Sequence, residues 1–243
     1  MHISTSGDAQ STPLLLLHGG GVAGWMWEPT RRHLTDDRRL LIPDLPGHGR
    51  SADQDYVSHD DTVHQLAAVL EREERPVAVA GFSLGAQLAV LLAARRPDLV
   101  DRVAVVSAQT VPLRAAGPML TLLRVTAGLA RREWFARLQA SALFVPEDLL
   151  PRYVQTSAGI SRDTLLHAVG DNIAFGVPDG WSGFPGPALI LAGAQEKPLM
   201  KTSAALLHEA LPQSILEIVE GCGHGIPLQQ PAWFARRIEA WLG

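Results

Sequence analysis

Short apolar runs alternate along the chain with longer stretches in which apolar residues recur at the spacing of a helix. The runs predict strands at 14–17, 40–42, 77–80, 103–106, 189–191 and 215–219. The longer stretches predict helices at about 25–35, 60–74, 85–96, 202–211 and 232–242. Strands that alternate with helices are typical of a parallel sheet covered by helices. We therefore predict an α/β fold with a mostly parallel central sheet flanked by helices.

The alternation is interrupted after the fourth predicted strand. Across about 112–186, apolar residues recur at helical spacing and no strand-like run appears, while 176–187 is rich in Gly and Pro. Open parallel sheets place their ligands at the carboxyl ends of the strands, where such an insertion would lie. We predict a core formed by residues 1–111 and 187–243, with residues 112–186 as an inserted helical cap.

The composition narrows the class of protein. A chain of 243 residues that is 47% hydrophobic can bury a large core, which argues against disorder. The 21 basic residues against 25 acidic ones give a formal net charge of −4, so a nucleic-acid partner is not expected. The single cysteine, Cys222, excludes an intrachain disulfide and favours a reducing compartment.

The chain shows no feature that predicts export or membrane insertion. Residues 1–13 are polar and lack the basic, apolar and small-residue order of a signal peptide. No apolar run approaches the roughly 18 residues of a membrane span. We expect a cytoplasmic protein with no membrane partner, either a monomer or a small homo-oligomer.

The first chemical motif is Gly81-Phe82-Ser83-Leu84-Gly85, which follows a predicted strand and opens a predicted helix. A sharp turn from strand to helix would hold the hydroxyl of Ser83 exposed, and the small Gly neighbours tolerate the strain of that turn. The helix start also favours the negative charge that develops in acyl transfer. A simple Gly/Ser turn is the alternative interpretation. We predict that Ser83 is a nucleophile.

A serine nucleophile needs a general base and a carboxylate that orients the base. The candidate base is His224, in a Gly-rich loop after the last predicted strand. The candidate acid is Glu196, the only acidic residue at the exit of the strand at 189–191. The exit of the strand at 103–106 contains no carboxylate. Both residues also have plain alternative interpretations as a loop histidine and a surface acid.

These motifs together resemble the α/β-hydrolase superfamily. The resemblance covers nearly the whole chain, because five motifs stand in the order and spacing of that family. They are the segments 18–21 (His-Gly-Gly-Gly), 44–51 (Asp-Leu-Pro-Gly-His-Gly-Arg-Ser), 81–85, 193–196 and 223–224. The chain departs from the commoner pattern in having Glu196 where Asp is usual. It also has Gln87 where a related carbon–carbon lyase would have Arg four residues after the nucleophile.

The resemblance implies roles for further residues. It implies an oxyanion hole formed by the backbone N–H groups of Gly20 and Leu84, and a cap at 112–186. It implies no cofactor and no metal. We list Trp25 and Phe82 as candidates for the wall of the substrate pocket, although packing of the first helix would equally explain Trp25.

The predicted function is hydrolysis of a small carboxylic ester, thioester or lactone through an acyl-enzyme on Ser83. The expected partner is therefore a small molecule with an acyl group. Lyase, acyltransferase or perhydrolase chemistry with the same residues is the first alternative. A hydrolase-fold receptor that binds a ligand without catalysis is the second.

Overall fold

The computed structural model of the chain describes residues 1–8, 10–113, 116–126 and 133–243. Within these ranges a seven-stranded sheet has the order β1-β3-β2-β4-β5-β6-β7. The strands are β1 (His2–Ser6), β2 (Leu14–Leu17), β3 (Leu40–Asp44), β4 (Val77–Phe82), β5 (Val100–Val106), β6 (Ala188–Gly193) and β7 (Ile215–Val219). Strand β1 pairs antiparallel with β3, and the other neighbours pair in parallel. The predicted mostly parallel sheet is confirmed.

Helices cover the sheet and fill the segment between β5 and β6. The helices of the described residues are α1 (Glu28–Arg31), α2 (His59–Leu70), α3 (Leu84–Arg95), α4 (Ala116–Thr126), α5 (Glu133–Ala142), α6 (Leu150–Gly159), α7 (Arg162–Ala174), α8 (Pro198–Ala210), α9 (Ile226–Gln229) and α10 (Pro231–Leu242). None of these helices is both long and apolar enough to cross a lipid bilayer.

Both faces of the sheet are buried. In β2, Leu15 and Leu17 join a core cluster with side chains of α2, α3 and α8, whereas Leu14 and Leu16 join a second cluster with side chains of α10. Successive residues of a strand point to opposite faces, so the uninterrupted run of leucines fills both cores. This explains why β2 appears in the sequence as a continuous apolar run.

Between β5 and β6 the described residues form helices α4 to α7, joined by turns and irregular stretches, and they contain no strand. Helix α5 buries Ala136 and Ala140 against the second core cluster and leaves Glu133 and Arg137 exposed as an ion pair. The positions 114–115 and 127–132 of the expected cap lie outside the described residues. The division of the chain into a core and a cap stays a prediction.

Strand β1 was not predicted from the sequence. Its five residues are mostly exposed and polar, so they carry no apolar pattern. The strand is instead held by its antiparallel pairing with the buried edge of β3, from His2 opposite Asp44 to Ser6 opposite Leu40. An edge strand of this kind depends on backbone hydrogen bonds more than on its own side chains.

Candidate active site

Ser83 lies at the junction between β4 and α3, in a backbone conformation that side chains rarely adopt. Its φ of 53° and ψ of −112° put it in a sharp turn, and its N–H donates to the carbonyl oxygen of Val106 at 2.9 Å. Such strain persists only where the surroundings enforce it, and it is typical of nucleophiles at strand-to-helix turns.

The glycines around Ser83 are required by close packing. A Cβ on Gly81 would overlap the backbone of Gly85, and a Cβ on Gly85 would overlap the carbonyl oxygens of Leu17 and His18. The first turn of α3 therefore packs directly on the end of β2. This packing brings the start of α3 beside the Gly-rich loop that follows β2.

The structure brings Ser83, His224 and Glu196 together in one chain of hydrogen bonds. The Nε2 atom of His224 lies 3.1 Å from Oγ of Ser83, and its Nδ1 atom lies 2.6 Å from Oε1 of Glu196. Of these side chains, that of Glu196 is 1% exposed and that of His224 is 30% exposed. A buried carboxylate can fix the tautomer and orientation of the histidine and stabilise its cation.

Glu196 is held by two further hydrogen bonds on its other oxygen. Its Oε2 atom accepts from the N–H of Gly193 at 2.8 Å and from Oγ of Ser107 at 3.1 Å. A buried polar group without partners would be costly, so these two donors satisfy Oε2 and hold the side chain in place. Ser107 is the first residue after β5 and has a φ of 55°, at the strand exit that lacks a carboxylate.

Ser107 was not predicted from the sequence. A lone serine has no local pattern that marks it as a partner of a distant acid. The usable clue was its position, because β5 lies between β4 and β6 and the exits of these three strands carry Ser83, Ser107 and Glu196. Side chains that leave adjacent parallel strands at the same edge lie close together.

The loops that carry the acid and the histidine are tied to each other. The N–H of Gln195 donates to the carbonyl oxygen of Cys222 at 2.9 Å, and a Cβ on Gly193 would overlap the carbonyl oxygens of Cys222 and Gly223. Cys222 is fully buried. This contact fixes the distance between Glu196 and His224 through backbone rather than through flexible side chains.

The Gly-rich loop after β2 is positioned by His18. The Nε2 atom of His18 accepts from the N–H of Leu45 at 2.8 Å, so its Nδ1 carries the proton and donates to the carbonyl oxygen of Gly19 at 2.7 Å. Burial and the neighbouring His48 lower the pKa of His18 to about 3. A neutral, buried histidine with both nitrogens occupied by backbone partners serves as scaffold.

The two predicted oxyanion donors lie beside each other at this loop. A Cβ on Gly20 would lie 3.8 Å from Cδ2 of Leu84, and both residues line the same cavity as Ser83. Leu84 is the first residue of α3, so its N–H has no acceptor within the helix. Their role as donors to an oxyanion next to Ser83 stays a prediction.

A cavity of about 700 Å³ opens over Ser83, between the core and the helices of the segment that precedes β6. Its lining includes Phe135 of α5, Tyr153 of α6 and Leu165 of α7. Sites for small molecules commonly have this size and a mostly apolar lining. The helical segment therefore supplies much of the cavity wall.

The structure corrects the expected wall residues Trp25 and Phe82. Trp25 is 7% exposed and donates its ring N–H to Oγ1 of Thr156 at 3.0 Å, and it lines a separate cavity of about 400 Å³. Phe82 is 1% exposed and packs against the ring of His224, with 5.1 Å between the ring centroids. Both side chains are used in packing because β4 and the first helical turn are buried.

Tyr153 is a wall residue that the sequence did not reveal. Its hydroxyl would lie 3.8 Å from a Cβ on Gly21, so it stands next to the Gly-rich loop after β2. Burial raises the pKa of Tyr153 to about 12, which keeps the hydroxyl protonated as a hydrogen-bond donor. No periodicity in α6 distinguishes this tyrosine from an ordinary core residue.

The described residues contain no group of three or more His, Cys, Asp or Glu that could hold a metal ion. The chemistry that the site can perform with its own groups is nucleophilic attack by a hydroxyl, proton transfer by an imidazole and stabilisation of an oxyanion by N–H groups.

The sheet order and the position of these side chains define an α/β hydrolase. The chain belongs to the alpha/beta hydrolase family, whose model matches residues 14–237. The predicted family resemblance and fold class are thus confirmed, and the family is one of hydrolase-type enzymes.

Individual relatives are similar over nearly the whole chain. The (E)-2-((N-methylformamido)methylene)succinate hydrolase of Acinetobacter baylyi is 26% identical over 251 residues, which cover 96% of this chain and 91% of that protein. A bromoperoxidase from Bacillus anthracis superposes with a TM-score of 0.86 at 20% identity, covering 99% of this chain and 94% of its own. The enol-lactonase from Burkholderia xenovorans LB400 superposes with a TM-score of 0.83 at 18% identity, covering 99% and 95%.

Proposed function

We propose that the protein is a serine hydrolase that cleaves a small carboxylic ester, thioester or lactone. The observation that carries the proposal is the hydrogen-bond chain from Glu196 through His224 to Ser83, which ends at the cavity. Among the similar proteins, one is named a hydrolase and another an enol-lactonase. Both names are compatible with attack on a carboxyl-type carbon.

In the first half of the reaction, Oγ of Ser83 attacks the carbonyl carbon while Nε2 of His224 takes the hydroxyl proton. The oxyanion of the tetrahedral intermediate accepts hydrogen bonds from the N–H groups of Gly20 and Leu84. Glu196 stabilises the imidazolium that forms. Collapse of the intermediate breaks the bond to the alcohol or thiol, which leaves with the proton from His224, and an acyl-enzyme remains on Ser83.

In the second half, water attacks the acyl-enzyme and His224 takes its proton. The second tetrahedral intermediate collapses, Ser83 regains its proton from His224, and the carboxylic acid leaves. No cofactor takes part in this scheme, and every proton is moved by His224.

The lyase alternative has less support from the site. Gln87 stands where the related lyase would have Arg, and its side chain is fully buried. Its amide accepts from Asn172 at 3.0 Å and donates to the carbonyl oxygens of Gln109 and Asn172 at 2.7 and 3.1 Å. A side chain with these bonds is committed to structure and has no donor left for a substrate.

The test is active-site labelling followed by turnover. A fluorophosphonate probe should add one label to the wild-type protein, and peptide mapping should place it on Ser83, whereas Ser83→Ala should take none. Methyl esters, thioesters and lactones of graded size should then be hydrolysed, with acid release followed in a pH-stat. Added alcohol measures acyl transfer in the same assay. Absence of both labelling and turnover would support the receptor alternative and refute the proposal.

A further inference from the structure

The charged side chains that line the cavity over Ser83, among the described residues, are all positive. Among the described residues that line it, Arg124 and Arg162 carry formal charges, and no Asp or Glu is present. His48 also lines the cavity, but burial lowers its pKa, so it remains neutral. The described wall therefore carries two positive charges and no negative charge to balance them.

Neither guanidinium is neutralised within the part of the chain that the structure describes. Arg124 and Arg162 take part in no ion pair or hydrogen bond there, whereas Arg137 on α5 pairs with Glu133 at 2.8 Å. Asp55, which lies beside the start of α7, accepts hydrogen bonds on Oδ1 from Ser161 at 2.7 Å and Thr164 at 3.2 Å, and among the described residues it forms no ion pair with Arg162. The two arginines therefore keep their hydrogen-bond donors available.

The two arginines come from helices that pack against each other. Arg124 lies in the last turn of α4, and Arg162 is the first residue of α7. The nucleophile and the oxyanion donors come from β4, α3 and the loop after β2 instead. A ligand in this cavity would thus meet the reacting groups on the core side and the positive groups on the side of the helical segment.

A guanidinium group matches a carboxylate well, because its parallel N–H donors bind both oxygens at once. Both arginines are exposed to solvent at the cavity wall, so an ion pair with either one would be partly screened by water and salt. A volume of about 700 Å³ accommodates a small acyl chain together with a terminal charged group. The wall is therefore suited to a substrate that is apolar in the middle and anionic at one end.

We infer that the substrate carries a carboxylate group in addition to the scissile ester or lactone, and that Arg124 and Arg162 bind this carboxylate. This inference rests on the proposed ester hydrolysis, because it assigns the substrate class of the same cavity. Arg124 and Arg162 are specificity residues in this scheme, and they take no part in the chemical step.

The experiment compares monomethyl and dimethyl esters of the linear diacids from succinic to suberic acid. The two series share a skeleton, but only the monoesters carry a carboxylate. For the wild type we expect kcat/KM for the best monoester to exceed that for its diester by at least tenfold. Arg124→Gln and Arg162→Gln should each lower this ratio by about 5- to 20-fold through KM of the monoester, and the double variant should abolish the preference.

Arg137→Gln is the matched control. It removes the same charge from a neighbouring helix at a position outside the cavity lining, and we expect the ratio to be unchanged. Raising the ionic strength should lower the preference of the wild type for the monoester, because salt screens an attraction between charges. A wild-type preference for the diester, or an equal loss in Arg137→Gln, would overturn the inference.

A binding measurement separates this inference from the proposed function. Ser83→Ala retains both arginines. Calorimetry on this variant should therefore detect binding of the best monoester, and weaker binding or none of the diester. If esters are hydrolysed without any charge preference, the inference fails and the proposed function stands. If no ester is hydrolysed but the monoester binds and Arg162→Gln weakens that binding, the proposed function fails and the anion site stands. If the monoester binds no better than the diester, the inference is wrong in either case.

Discussion

The two sides of the cavity are built in different ways. On the core side, Ser83, Gly20 and Leu84 are positioned by backbone: a strained turn, a helix start, and glycines whose neighbours leave no room for a Cβ. On the other side, Tyr153 and the arginines are positioned by their places on the helices α4, α6 and α7. The first side accounts for the proposed chemistry, and the second accounts for the shape and charge of the pocket.

This difference decides what each region tolerates. Gly81 and Gly85, on either side of Ser83, cannot gain a side chain without a clash, because the first turn of α3 packs on the end of β2. A side chain on the cavity face of α5 or α7 can change while its helix keeps its buried contacts. We expect substitutions on the core side to affect kcat and substitutions on the helical side to affect KM and substrate preference.

The largest effect should come from removing the nucleophile. Ser83→Ala should lower kcat by at least ~10⁴-fold while the far-UV spectrum and the unfolding transition are retained, because only the hydroxyl is lost. Ser157→Ala is the matched change on the helical side, since Ser157 lines the same cavity. It should cost less than tenfold. Comparable losses in the two variants would remove the distinction between the two sides.

The next largest effect should come from the carboxylate. Glu196→Gln should lower kcat by at least ~100-fold with little change in KM, because a neutral amide neither stabilises the imidazolium nor enforces the required tautomer. Glu196→Asp keeps the charge but is one methylene shorter, so it should retain partial activity. Steady-state kinetics on the best ester measures both. A fully active Glu196→Gln variant would show that another group orients His224.

The core side should also be sensitive to acid, because it buries His18. The pKa of His18 is lowered to about 3 in the folded protein, and its unfolded value is near 6.5, so the unfolded chain binds one more proton at intermediate pH. The free energy of unfolding should therefore fall as the pH falls from about 6.5 towards about 3. His18 alone should account for about 2 kcal/mol between pH 7 and 5.

Urea unfolding at several pH values between 7 and 5 measures this loss, in a range above the titration of most carboxyl groups. His18→Asn should be less stable at pH 7, because the acceptor for the N–H of Leu45 is disturbed. Between pH 7 and 5, the free energy of unfolding of this variant should nevertheless fall by about 2 kcal/mol less than that of the wild type. A wild-type stability that is flat from pH 7 to 5 would contradict the assignment.

The same contrast explains which parts of the fold and of the site could be predicted from the sequence. Positions fixed by backbone leave marks in a sequence, and so Gly81 to Gly85, the loop after β2 and the buried strands were all predicted. Tyr153 and Ser107 act through side chains whose neighbours are distant in the chain. Their residue types are equally common in ordinary cores and turns, so local patterns cannot distinguish them.

Trp25 shows the opposite error. A tryptophan near a predicted Gly-rich loop is a natural candidate for a pocket wall, but this one packs edge-on against Tyr153 and bonds to Thr156. The aromatic side chain that borders the main cavity is therefore that of Tyr153. Which of two neighbouring aromatic rings faces a cavity depends on how the helix carrying the second ring packs, and the sequence does not state that packing.

The smallest effect, and the sharpest test of the core side, should come from Ser107. Its hydroxyl is one of the donors to Glu196, and Oε2 keeps the N–H of Gly193 when it is lost. A hydrogen bond to a charged group contributes about 1.5–3 kcal/mol, but only the part that differs between neutral and protonated His224 affects the rate. We therefore expect Ser107→Ala to lower kcat by about 3- to 10-fold with KM unchanged.

Ser203→Ala is the control, because Ser203 is a buried serine whose hydroxyl bonds to the backbone of Thr110 and Leu199 and not to Glu196. In the Glu196→Gln background, Ser107→Ala should cost nothing further, since the carboxylate it assists is already gone. Additive losses in that double variant would mean that Ser107 supports the fold of the strand exit and does not act through Glu196.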